Sequence, residues 1–201
     1  MSTWTRSGRG IPGGAALAAL TLVVSALAAG PARAATSPWD DDARWMSVRA
    51  GYAKSGARFA PDGSFGYGFA YTWFLAKGTA WSASAQHDVL GRYGRASEIE
   101  FPITAEFTRH FRWSEAARPY LGIGWGAIYH KTYRTGADES DFRQGLYVTG
   151  GGNAVIGAAS LVGFDVRLML EQDTRSINPT FPNAEASSTV WSAKLTYSRV
   201  F

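Results

Sequence analysis

Seven charged residues carry the chemistry this chain could perform in an interior: Arg49, Glu100, Glu106, Asp165, Arg167, Glu171 and Lys194. Opposite charges that meet away from water lock together as ion pairs. The same groups kept wet would line a pore and select ions by sign. The three histidines, His87, His110 and His130, are the candidates for a general base. There is no cysteine, which excludes disulfides, thiolate nucleophiles and cysteine-ligated metal sites. No His/Asp/Glu cluster has metal-ligand spacing. Asp138, Glu139 and Asp141 could meet a divalent cation, but they read first as solvated loop charge. Gly150–Gly152 is no phosphate loop, because no helix is expected after it. No residue is therefore assigned to catalysis, to a cofactor or to a metal.

The elements that must position these groups are eight segments of alternating polarity. They are Trp45–Ala53, Ser64–Leu75, Ala80–Val89, Glu98–Phe111, Pro119–Tyr133, Gln144–Ile156, Val162–Asp173 and Thr189–Phe201. Period-two alternation sends successive side chains to opposite faces of a strand. In Ser64–Leu75, Phe65, Tyr67, Phe69, Tyr71 and Trp73 share one face, against Gly66, Gly68, Ala70, Thr72 and Phe74. Glu98–Phe111 sets Ile99, Phe101, Ile103, Ala105 and Phe107 against Glu100, Pro102, Thr104, Glu106 and Thr108. Gln144–Ile156 is the weakest pattern, blurred by Gly150, Gly151 and Gly152. No segment keeps a helical period. The connections alternate as well. Lys54–Gly63, Leu90–Ser97, Lys131–Phe142 and Asp173–Ser188 read as long, and those between them as shorter. Pro102 has no N–H to give a ladder, so a bulge or local distortion is expected there.

Residues 1–34 have the three parts of a secretory signal peptide: Arg6 and Arg9, the uncharged apolar run Ala15–Ala29, and Ala32-Arg33-Ala34 at the cleavage place. That stretch holds three arginines and no acid, so three of the four net positive charges leave with it. The remainder is close to charge-balanced and gives no footing for a nucleic-acid partner. The expected organisation is a signal peptide over 1–34 with cleavage near Ala34, a polar periplasmic lead-in over 35–43, and a barrel over 44–201.

The two faces of Ser64–Leu75 identify the media they meet. A strand half in water carries visibly hydrophilic residues on its wet face. Here one face is aromatic and the other small. Lipid outside and a packed, polar interior within suit both, and a closed barrel leaves no backbone group unpaired in hydrocarbon. A secreted lipocalin-like barrel is the rival, and it would put Gly66, Gly68, Ala70 and Phe74 in water. Trp73, Trp81, Tyr197 and Phe201 at one end, and Phe65, Tyr67, Tyr129, Tyr133 and Trp191 at the other, make two interfacial girdles. The predicted fold is a single all-β domain, an eight-stranded antiparallel up-and-down transmembrane β-barrel.

The export signal, the eight alternating segments, the phrase PYLGIGWGAIY and the ending LTYSRVF resemble the small eight-stranded outer-membrane β-barrel family of Gram-negative bacteria. The resemblance implies residence in the outer membrane, against lipid and lipopolysaccharide. It also implies that the barrel-assembly machinery reads Phe201, Tyr197, Leu195 and Ala193. Arg199 departs from that pattern, whose corresponding place is usually apolar. The size and the PYLGIG strand are also similar to the lipid A deacylase family. That family carries a His-x-Ser pair on its penultimate strand, where this chain reads LMLEQDTRSIN without a histidine. His87 is expected to face lipid near the outer rim, with Ser64 and Ser97 on neighbouring strand ends, and His110 and His130 to point inward. The function expected is a non-enzymatic porin-like envelope barrel without a cofactor. Its interior is plugged by the seven charges and its loops face an extracellular partner through Phe181. A lipid A-modifying acyl hydrolase and a narrow pore stand as the alternatives.

Overall fold

The structure, a computed structural model, describes residues 37–54, 64–93, 96–133, 138–176 and 189–201. The side chains of residues 64, 90–93, 96–98, 139 and 171–176 are outside the description. The expected signal peptide and the loop residue Phe181 also lie outside the described residues. The strands are β1 (Arg44–Lys54), β2 (Ser64–Ala76), β3 (Thr79–Tyr93), β4 (Ala96–His110), β5 (Ala117–Tyr133), β6 (Glu139–Gly157), β7 (Ser160–Ser176) and β8 (Thr189–Val200). Each pairs antiparallel with its chain neighbours and β8 returns to β1, closing the barrel. The alternation read in the sequence is what the wall obeys. Ile103, Phe107, Ile123, Leu146, Leu168 and Leu195 face outward, while Ser82, Thr104, Glu106, Thr149 and Lys194 are buried within. A one-residue slip of any strand would exchange these sets, so the pattern holds the register.

Closure carries a stagger. Cross-strand partners followed round the wall run Arg44, Trp73, Trp81, Phe107, Ile123, Val148, Leu168, Trp191 and back to β1 at Lys54. The path starts at Arg44 and returns ten residues further along the same strand. That stagger over eight strands tilts them by roughly 40° and leaves a lumen that side chains fill. The outward residues on this path are apolar from Trp73 to Trp191.

Three connections lie at one end with the N-terminal lead-in and the C-terminus: Lys77–Gly78, 111–116 and 158–159. This is called the turn end, and the opposite one the loop end. Two connections are shorter than the sequence suggested. β3 runs to Tyr93 and β4 starts at Ala96, so the long loop expected over Leu90–Ser97 is largely strand. β5 and β6 likewise absorb most of Lys131–Phe142. Long cross-strand pairing outcompetes the polar composition of these stretches. The glycine-blurred segment forms β6, the longest strand at 19 residues.

Pro102 behaves as a residue without an N–H must. It pairs with Ile128 on β5, but the β3–β4 ladder skips from Ala85↔Ile103 to Asp88↔Glu100 with its register unchanged. The actual register shift of this ladder falls elsewhere, between Val89 and Gly91.

The lead-in is not a solvated tether. Trp39 is only 1% exposed and belongs to an apolar cluster with Ala43, Trp45, Phe74, Ala80, Ala159, Leu161 and Val200. Trp45 Nε1 donates to Pro38 O at 2.8 Å, and the Gly78 amide donates to Trp39 O at 3.0 Å. The Trp45 ring also packs edge-on against His110. The turn end is therefore filled by an aromatic plug, where the sequence reading expected a polar interior.

Candidate functional site

Above the plug the lumen is crossed by a belt of buried charge. Arg49 on β1 reaches Glu106 on β4, Nη2 to Oε1 at 3.3 Å. Arg167 on β7 reaches the other oxygen of Glu106, Nη2 to Oε2 at 3.0 Å. Arg167 Nε donates to Asp165 Oδ1 at 2.8 Å, and Arg167 Nη1 donates to Thr104 Oγ1 at 3.1 Å. Two tyrosines complete the acceptors: Tyr147 donates to Glu106 Oε2 at 2.9 Å and Tyr120 to Asp165 Oδ2 at 2.8 Å. Thr149 donates to that same Asp165 oxygen at 2.9 Å. Small inward residues of β5 make room for this. The Tyr147 ring occupies the space a side chain on Gly124 would need.

A second bridge ties β8 to β3. Lys194 Nζ lies 2.7 Å from Asp88 Oδ1 and also donates to Gln86 Oε1. Gln86 Nε2 donates to Ser84 Oγ, which meets Thr104 at 2.6 Å, so the two groups form one network. Nearer the loop end, His130 Nδ1 meets Asp141 at 2.5 Å, Arg143 Nε donates to the same carboxylate at 2.6 Å, and Arg143 lies 3.8 Å from Glu100. The principal bridges join strands three apart round the wall: β1 to β4, β4 to β7 and β8 to β3. They cross the lumen rather than run along its surface. One void of about 40 Å³ lies toward the loop end, beside Asp88, Glu100, Tyr147 and Arg167. Another of about 20 Å³ lies toward the turn end, beside Arg49, Glu106, His110 and Thr196. Each holds a few water molecules at most.

The structure thus places Arg49, Glu100, Glu106, Asp165, Arg167 and Lys194 inside the barrel, each at most 6% exposed. The Glu171 side chain lies outside the description; its backbone pairs with Gly145. Sequence reasoning did not name Asp88, Tyr120 or Tyr147 as members of this network. Parity would have placed each of them inward, but their partners come from strands distant in the chain. Ala193, Leu195 and Tyr197 face outward on β8, and Phe201 follows it with 40% exposure. Arg199 faces outward too, its Nη1 donating to Ser160 Oγ at 3.2 Å.

His87 is outward and half-buried, with Nδ1 2.8 Å from Tyr67 Oη and its ring stacked on Phe101 at 4.7 Å. The serines weighed as its partners, Ser64 and Ser97, have side chains outside the description. His110 and His130 point inward, each 5% exposed. Among the described residues no group of three His, Asp or Glu is placed to hold a metal ion.

No family model and no curated protein matches this sequence. The fold does match solved structures, which are small eight-stranded outer-membrane β-barrels. Neisserial surface protein A superposes with a TM-score of 0.66 at 13% identity, over 79% of this chain and 99% of that one. Ail, the attachment invasion locus protein of Yersinia pestis, gives 0.56 at 12% identity, over 80% and 99%. The N-terminal β-barrel domain of Pseudomonas aeruginosa OprF gives 0.55 at 11% identity, over 80% and 98%. At these identities the likeness is one of fold.

Proposed function

We propose that this chain, with the fold of the small outer-membrane barrels, is itself an integral outer-membrane protein. Its work is structural and interactive rather than catalytic. The carrying observation is the outward face: a band of Phe, Trp, Ile, Val and Leu running right round a closed wall while the charges are turned inward and paired. Water outside would leave that band uncovered, whereas lipid covers it at no cost. The interior reading is a plug. Four cations, Arg49, Arg143, Arg167 and Lys194, face the four buried carboxylates Asp88, Glu100, Glu106 and Asp165. Balanced charge crossing the lumen, above an aromatic stopper, supports a barrel that conducts no steady ion current. The loop end then faces outward from the cell and presents its loops, with Phe181 between Pro179 and Pro182 as the proposed contact for an extracellular partner or for lipopolysaccharide. The outward Ala193, Leu195, Tyr197 and Phe201 are the proposed signal to the assembly machinery, and Ala34 the proposed end of the leader.

The test has two arms. The expressed protein should fractionate with outer membrane and migrate differently on gels before and after heating. Recovery from soluble periplasm without detergent overturns the location. In planar bilayers the purified barrel should be nearly silent. Steady single-channel steps from the unmodified protein overturn the plugged interior and make it a pore.

A further inference from the structure

On its turn-end side the charge belt has donors left over among the described residues. Glu106 has both oxygens engaged, Oε1 by Arg49 and Oε2 by Arg167 and Tyr147. Asp165 is engaged likewise, Oδ1 by Arg167 and Oδ2 by Tyr120 and Thr149. Arg49 gives only Nη2 to these acids, and its Nε and Nη1 are buried with no hydrogen-bond partner. Thr196 Oγ1 and His110 Nδ1 share that condition. With His110 Nε2 accepting from the Thr108 hydroxyl at 3.3 Å, Nδ1 carries the ring proton and is a donor too. Arg49, His110 and Thr196 are each at most 7% exposed. They line one space, the void of about 20 Å³ between the belt and the aromatic stopper.

The lining says what fits there. Its hydroxyls are neutral and largely paired among themselves, Ser47 with Ser198 at 2.7 Å and Thr72 with Ser82 at 2.8 Å. Glu106 is the one carboxylate among the described lining residues, and both its oxygens are already bonded. Charge points the same way. Arg49 and Arg167 balance Glu106 and Asp165. Arg118, one inward position nearer the turn end than Tyr120, adds a positive charge that no carboxylate among the described residues meets. Unmatched donors and surplus positive charge in a poorly hydrated space favour a ligand that accepts without donating and is itself negative. The volume admits one small ion or a water. We propose that this void is a site for a single halide ion, chloride under ordinary conditions, held by Arg49, Thr196 and His110. The ion ties the belt to the stopper, because the His110 ring also packs against Trp45 and Phe74. This rests on the plugged interior.

The experiment is diffraction from crystals of the mature barrel grown in sodium bromide, with data collected at the bromine absorption edge. An anomalous peak should lie in the void, within hydrogen-bonding reach of Arg49 and Thr196. In micelles the urea-unfolding midpoint should be higher in chloride or bromide than in gluconate of the same ionic strength, because gluconate is too large to enter. Thr196→Val keeps the shape of the side chain and removes one donor. It should weaken bromide binding about tenfold, the loss of one hydrogen bond to a charged acceptor, read from how the midpoint rises with bromide concentration. Ser192→Ala, beside the loop-end void, should leave that rise unchanged. Density in the void without anomalous signal identifies water and overturns the halide. Equal midpoints in the three salts overturn it too, as does undiminished bromide binding in Thr196→Val. A barrel that is silent in planar bilayers and binds no bromide refutes this inference alone; steady channel steps refute the plugged interior beneath it.

Discussion

Glu106 is the joint of the interior, since its two oxygens receive Arg49 from one side of the wall and Arg167 and Tyr147 from the other. Removing this buried carboxylate leaves Arg49 without its partner in a poorly hydrated space, while Arg167 keeps Asp165. Glu106→Ala should therefore destabilise the barrel by about 3–5 kcal/mol, read from urea unfolding in micelles, with Glu106→Gln milder. The Lys194–Asp88 bridge offers a stricter check. Asp88→Leu alone strands a lysine, whereas Asp88→Leu with Lys194→Met removes both charges. The double variant should be more stable than the single one; equal losses would mean the bridge is not buried as described. These residues also show what the sequence could convey. Alternation along each segment placed Arg49, Glu106, Asp165 and Lys194 on one face. It could not say that Lys194 meets Asp88 across the lumen rather than Asp165 on the adjacent strand. That pairing depends on the ten-residue stagger, which no single strand contains.

At the scale of the element, β5 owes its place to what its inward positions lack. A Cβ on Gly124 would enter the Tyr147 ring and stand 2.6 Å from Ala105 O. Gly124→Ala should cost about 1–3 kcal/mol through overpacking. The loss should shrink when Tyr147→Ala is made with it, and a thermodynamic cycle on the two variants measures that coupling. Two purely additive losses would show that β5 shifts to accommodate the methyl. Strand ends were the least legible feature. Leu90–Ser97 looks like a loop by composition, yet the sheet carries Leu90–Tyr93 and Ala96–Ser97 as strand because paired neighbours extend alongside. Pro102, where a bulge or local distortion was expected, shows the same limit: the ladder is interrupted beside it, but the register shift settled near Gly91, where the chain is more permissive.

For the molecule as a whole, the least expected part is the stopper made by Trp39 and Trp45. TSPWDDDA reads as polar from its acids, and the one aromatic in it is the residue that matters. Trp39→Ala should cost about 3–5 kcal/mol, as for other buried tryptophans, measured by the midpoint of urea unfolding. That stopper also has a kinetic consequence. Its members come from the lead-in, β1, β2, β3, the 158–159 turn, β7 and β8, so it is complete only once Trp45 stands beside Val200 across the seam. A contact between chain positions so far apart forms after the local hairpins, because its loop-closure entropy is the largest. Interactions made after the rate-limiting step govern how fast a protein comes apart rather than how fast it assembles. The stopper is thus a latch on the seam. Trp39→Ala should speed unfolding in stopped-flow experiments while leaving refolding into micelles nearly unchanged, and a variant that slowed refolding instead would place the latch in the folding nucleus.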